Sequence, residues 1–114
     1  MDYDRIWEKE FSNKTQAKDF CGNKISKFEY RTDKDDSWDI DHIIPLAENG
    51  SDSDDNKQIV NRRTNVKKAD KITYVIDDIT YQSKKKKSLK PSDKLASYDY
   101  SKKVNCVVIL ERAK

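Results

Sequence analysis

Along residues 38–44 the side chains alternate. Trp38, Ile40, His42 and Ile44 fall on one parity, and Asp39, Asp41 and Ile43 on the other. That is the period-two signature of a strand. Pro45 has no N–H to give a ladder and interrupts it. Residues 58–61 are short and β-branched and predict a second strand. Residues 62–69 contain no Gly or Pro and many Arg and Lys, which predicts a short helix with Asn61 as its N-cap. Strand, loop, strand, helix is the local expectation. Upstream, Tyr3, Ile6, Trp7 and Phe11 recur at near-helical spacing and form one apolar face, expected to pack against that unit. Asn13 to Thr15 reads as a break, followed by a second short helix to Phe20. Gly22-Asn23 reads as a turn, residues 24–31 as a short strand and residues 33–37 as a polar turn. Downstream, residues 72–76 and 79–81 are β-branched and aromatic around Asp77-Asp78, giving a tight hairpin or one kinked strand. A short helix is expected within residues 92–100, with Pro91 near its start. Residues 104–110 read as a buried strand that pairs with 72–81 to close a small antiparallel sheet. The expected class is α+β.

Composition narrows this picture. The 114 residues suit one domain with a modest core. Hydrophobic residues make up 34% and charged residues 39%, so much of the chain must be surface or must order on binding. The net charge of +3 does not by itself point to nucleic acid, and the distribution of charge says more. Lys84 to Lys87 is a run of four lysines, read as a phosphate-contacting patch rather than a solvated loop because Arg62, Arg63, Lys67, Lys68 and Lys71 lie nearby in sequence. No apolar run could span a membrane and no signal-peptide pattern is present, so the expected location is the cytoplasm. Cys21 and Cys106 are too few for a disulfide scaffold or a four-cysteine zinc site, so no structural zinc is expected.

The candidate chemistry gathers in the same central stretch. His42 is the only histidine and directly follows Asp41. A neutral imidazole can take a proton from water near neutral pH. Asp39, two residues before Asp41, is read as a solvated carboxylate rather than an additional ligand. Asp52-x-Asp54-x-Asn56 faintly suggests a calcium loop, but Lys57 falls where that loop needs Gly and Arg63 where it needs Glu.

Asp41-His42-Ile43-Ile44-Pro45, the Asn49-Gly50-Ser51-Asp52 turn, Asn56 and the Asn65-x-x-Lys68 pattern together resemble the HNH endonuclease motif of the ββα-metal type. The form is similar to the HNH domain of RNA-guided CRISPR nucleases and to small phage and bacterial HNH proteins. The resemblance runs from about Phe20 to Lys71, with the motif core at about 38–71, and does not cover the tails. It implies a ββα-metal core, and with the N-terminal helix and C-terminal strands read from the residue pattern the expectation is a single HNH endonuclease domain over 1–114. It implies His42 as general base, Asp41 and Asn65 as ligands of a divalent metal (Mg²⁺ first, Mn²⁺ open), and Asn56 as a brace of the loop between the strands. Because Asp41 and His42 are strand neighbours, they should point to opposite sides, which is a tension within this reading. Arg62, Arg63, Lys67 and Lys68 are the candidate nucleic-acid contacts, with pairing to an acid left open for Lys68. The acidic turn at 33–37 is placed away from the substrate. The expected activity is metal-dependent hydrolysis of DNA phosphodiesters, with RNA open as substrate and a homodimer or an accessory protein open as partner. The alternatives are a toxin-type nuclease controlled by an immunity protein, or a non-catalytic nucleic-acid-binding module of the same fold.

Overall fold

A computed structural model describes residues 2–96 and 100–112. Helix α1, Asp2–Phe11, buries Ile6 and Trp7 and ends where Ser12 turns left-handed at φ 55°. Residues 13–20 do not form the expected second helix. Strands β1, Gln16–Lys18, and β2, Lys24–Ser26, instead make an antiparallel hairpin with Ala17 opposite Ile25. The cause is Asp19. Its Oδ1 accepts the backbone N–H groups of Cys21 and Asn23 at 3.0 and 2.9 Å, an Asx-type turn that sends the chain back. Its Oδ2 accepts the Asn61 N–H at 2.9 Å and the Thr64 hydroxyl at 2.6 Å, so this buried carboxylate also pins the hairpin to the centre of the protein.

The centre is the expected ββα unit. Strand β3, Trp38–His42, pairs antiparallel with β4, Lys57–Asn61, in a register that sets Trp38 against Asn61 and His42 against Lys57. Helix α2, Arg62–Lys68, follows β4 without a linker. The Asn61 side chain accepts the Arg63 N–H at 2.9 Å, a side-chain N-cap. Its amide nitrogen donates to the carbonyls of Lys24 and Asp35, so the cap also fixes β2 and the acidic turn.

The C-terminal sheet runs β5-β6-β8-β7, with β5 Thr73–Ile76, β6 Ile79–Lys85, β7 Lys94–Leu95 and β8 Asn105–Arg112. Asp77 and Asp78 both take positive φ, 50° and 65°, which closes the tight hairpin rather than a kinked strand. The helix expected at 92–100 is absent from its described part. Asp93 accepts the Lys90 N–H at 2.8 Å to close a turn, and Ala96 then donates to Val107, so this backbone is spent on β8. Residues 97–99 of that expectation lie outside the described residues.

Two apolar clusters flank the central hairpin. Ile6, Trp7, Ile25, Trp38 and Ile59 form one, with the Trp7 and Trp38 rings 5.1 Å apart. The other holds Phe20, Ile43 and Val60 against Tyr74, Tyr81 and Val107 of the C-terminal sheet. Consecutive residues Ile59 and Val60 thus enter different clusters, and β4 is buried on both faces. Among the described residues no helix is long and apolar enough to cross a membrane.

Candidate active site

Strand β3 is bonded to β4 on one side; on the other, Trp38 bridges to Tyr30, and past that bridge the strand borders a cleft of about 380 Å³. Ile40, Asp41 and His42 line that cleft in succession, with Pro45, Leu46, Asn65 and Asp70 among the other walls. Three consecutive strand residues can share a cleft only if it straddles the strand's edge, because their side chains alternate between faces. Asp41 and His42 therefore both border the cleft while their side chains take opposite faces of β3, and the chain bends at Ile43 and Ile44 just before Pro45.

Asp41 lies on the face toward α2, 6% exposed. Its Oδ1 stands 3.2 Å from the Lys68 ammonium, and its Oδ2 accepts the Gln58 amide at 2.9 Å. Gln58 is itself held by the Tyr100 hydroxyl at 2.9 Å. Lys68, 0% exposed, also donates to the His42 carbonyl at 3.0 Å and lies over the Tyr74 ring. Burial holds the Asp41 carboxyl above the usual carboxylate range, against the opposing pull of Lys68 and Gln58. The alternative left open for Lys68 is therefore the one realised. It pairs with an acid inside the protein and is withdrawn from the surface contacts to nucleic acid.

His42 lies on the opposite face of β3, its side chain 26% exposed. Its Nε2 is 2.8 Å from Asp52 Oδ1. Asn65, one turn before the end of α2, donates its amide nitrogen to Asp39 Oδ2 at 3.2 Å. Asp39 also accepts from Arg31 at 2.9 Å. It is thus a partner of Asn65, not a merely solvated carboxylate.

Asn56 is fully buried where the loop returns to β4. Its Oδ1 accepts the Ile44 N–H at 3.0 Å, and its amide nitrogen donates to the carbonyls of Ile44 and Ser51 at 2.9 and 2.6 Å. Asn105 of β8 donates to the same Oδ1 at 2.6 Å. Gly50 closes the loop by donating its N–H to Pro45, and a Cβ added there would stand 1.8 Å from the Ile44 carbonyl oxygen. Here glycine is required by close approach of the backbone.

The remaining basic residues divide. Arg62 donates to the Thr32 carbonyl at 3.0 Å, and Arg63 to the Asp35 carbonyl at 3.2 Å. Both sit at the start of α2, about six residues from its cleft end, or roughly 9 Å at 1.5 Å per residue. The acidic turn and these arginines share one face, so the two expectations cannot both stand: if the turn is away from a substrate, so are Arg62 and Arg63. Lys67 pairs with Asp77 at 3.2 Å. In the lysine run, Lys84 pairs with Asp93 and Lys86 donates to the carbonyls of Tyr100 and Ser101. Lys85 and Lys87 are exposed and have no ion-pair partner among the described residues. They border a groove of about 830 Å³ lined also by Glu48 to Ser51 and by Lys103 to Asn105.

Reading the sequence alone missed Gln58, Asn105 and the contact between Asp52 and His42. Parity pairs Gln58 with Asp41 once the strands are put in register, so that signal was present. Asn105 lies 49 residues from Asn56, and no local signal joins them.

The family model described as HNH endonuclease matches residues 19–74, and this segment belongs to the HNH endonuclease family. No curated protein and no solved structure matches the chain. The family consists of nucleases that act on nucleic acids and generally use a divalent metal.

The cleft fits such an ion in donor chemistry. Mg²⁺ takes hard oxygen ligands, few of them from protein, and keeps several waters. Asp41 offers a carboxylate with lone pairs beyond its two hydrogen bonds. Asp39 holds the nitrogen end of Asn65, leaving Oδ1 without a hydrogen-bond donor among the described residues. No group of three or more His, Cys, Asp or Glu able to hold a metal occurs among the described residues, so the donor set is sparse.

Proposed function

We propose that this protein is a metal-dependent endonuclease that hydrolyses phosphodiester bonds in DNA, with Asp41, His42 and Asn65 at the reacting centre. The observation that supports this reading is the strand-edge cleft, which Asp41, His42 and Asn65 all line. Asp41 and Asn65 hold the divalent ion, Mg²⁺ by the character of their oxygens. Bound there, it offsets charge on the scissile phosphate and the leaving oxygen.

The chain's own residues do the rest. His42 takes the proton from the attacking water. Asp39 turns Asn65 so that its oxygen is presented. Asn56 fixes the Ile44 backbone and, through it, the exit of β3 that carries His42. Lys85 and Lys87 hold phosphates of the strand as it leaves the cleft past the Leu46–Glu48 turn (contacts that position the backbone without reading bases). One such centre per chain cuts one strand.

The test is incubation of wild type and His42→Ala with supercoiled plasmid, in Mg²⁺, Mn²⁺ or a chelator. Nicked or linear product from wild type alone, lost with the chelator, is the expected result. The variant should still fold and bind metal. Full activity of His42→Ala removes His42 as base. DNA binding without cleavage in any metal replaces the enzyme with a binding module of this fold.

A further inference from the structure

The carboxylate at His42 comes from the Asn49–Asp52 turn, to which the resemblance assigns no role at the reacting centre. Asp52 stands ten positions on, in the loop that Asn56 and Gly50 close, and reaches back to the imidazole at 2.8 Å. An ionised carboxylate can only accept hydrogen bonds, so a contact of that length requires the proton on Nε2. Two features keep Asp52 ionised. It accepts from His42, and Lys57, the cross-strand partner of His42, lies 3.8 Å away; both hold its carboxyl below the usual range. Lys57 is in turn 3.7 Å from Asp54, which Arg5 and Lys9 of α1 grip at 2.7 and 3.3 Å. The carboxylate at the histidine, itself exposed, is therefore one end of a charge chain anchored on the N-terminal helix.

We propose that Asp52 is the positioning residue of the histidine: it holds the Nε2–H of His42 and so leaves Nδ1, with its lone pair, as the atom that accepts the proton from water. Nδ1 has no hydrogen-bond partner among the described residues, as a base awaiting water requires. A carboxylate that orients one ring nitrogen so that the other can act is the general logic of an acid–histidine pair. This deepens the nuclease reading and rests on it for the word base. The orientation of the ring rests on the 2.8 Å contact between Nε2 and Asp52.

Because His42 is the only histidine, ring-nitrogen NMR of the full chain reports a single imidazole. At a pH where the ring is neutral, the expected spectrum has the proton on Nε2, in slow exchange with water, and a bare Nδ1. Asp52→Ala should speed Nε2–H exchange and lower kcat about 10- to 100-fold, within what a general base contributes, with KM little changed. Asp52→Asn keeps an oxygen that can accept the Nε2–H, and should restore slow exchange and part of kcat. A proton found on Nδ1 in wild type overturns the proposal. So does an Asp52→Ala protein with wild-type exchange and kcat, or one whose loss is entirely in KM. If wild type cleaves no nucleic acid, the nuclease reading fails while the exchange measurement still decides whether Asp52 holds the ring.

Discussion

Lys68 and Arg63 lie five residues apart on one basic helix, yet their charges do different work. Arg63 at the helix start is exposed, and its partner Asp35 is fully exposed, so water already solvates both. Lys68 at the cleft end is sealed between Asp41, the His42 carbonyl and the Tyr74 ring. Exposed pairs gain little because water competes for both charges. A buried pair is different: removing one partner strands the other without solvent. Counting cations on α2 therefore says little about what it binds; burial decides.

The comparison can be broken most directly at Lys68. Lys68→Ala should cost about 3–5 kcal/mol of unfolding free energy in a denaturant titration, because Asp41 is left buried without its cation. Adding Asp41→Asn should recover a large part of that loss. A cost below about 1 kcal/mol would place Lys68 with the solvated cations. Asn56→Ala comes next, at about 2–3 kcal/mol, because it leaves backbone groups of Ile44 and Ser51 and the Asn105 amide unsatisfied. It should also slow cleavage through the loop; an unchanged melting temperature and rate would refute the brace. The smallest effect belongs to Arg63→Ala, less than about 1 kcal/mol and with no change in the salt dependence of DNA binding. Lys85→Ala and Lys87→Ala sharpen the contrast. Each should flatten the slope of log K against log salt by about 0.9 if it loses a phosphate contact on duplex DNA. Equal slopes for all three variants would erase the distinction between paired and free cations.

What was legible in the chain follows how far apart the partners are. The ββα unit could be read because its signals are local: alternation through Trp38 to His42, the missing donor of Pro45, and the cap at Asn61. The β1–β2 hairpin could not be read, because its strands are three residues each and its turn depends on Asp19, half of whose bonds reach Asn61 and Thr64. At the site, the spacing of Asp41, His42, Asn56 and Asn65 was visible. The fate of Lys68 was not, because a lysine's burial is set by the carboxylate it meets 27 residues away. The contacts of Arg62 and Arg63 were hidden for the same reason: the acidic turn they meet is distant in sequence and adjacent in space.

Gly50 carries a consequence for how this chain can vary over generations. Leu46, Ala47, Glu48 and Ser53 around it are exposed, and most codon changes there would pass without effect on folding. At position 50 even the smallest substitution sets a methyl group against the Ile44 oxygen, on the segment that leads out of His42. Drift can therefore rewrite the outside of this loop while one hydrogen-only position stays closed to it.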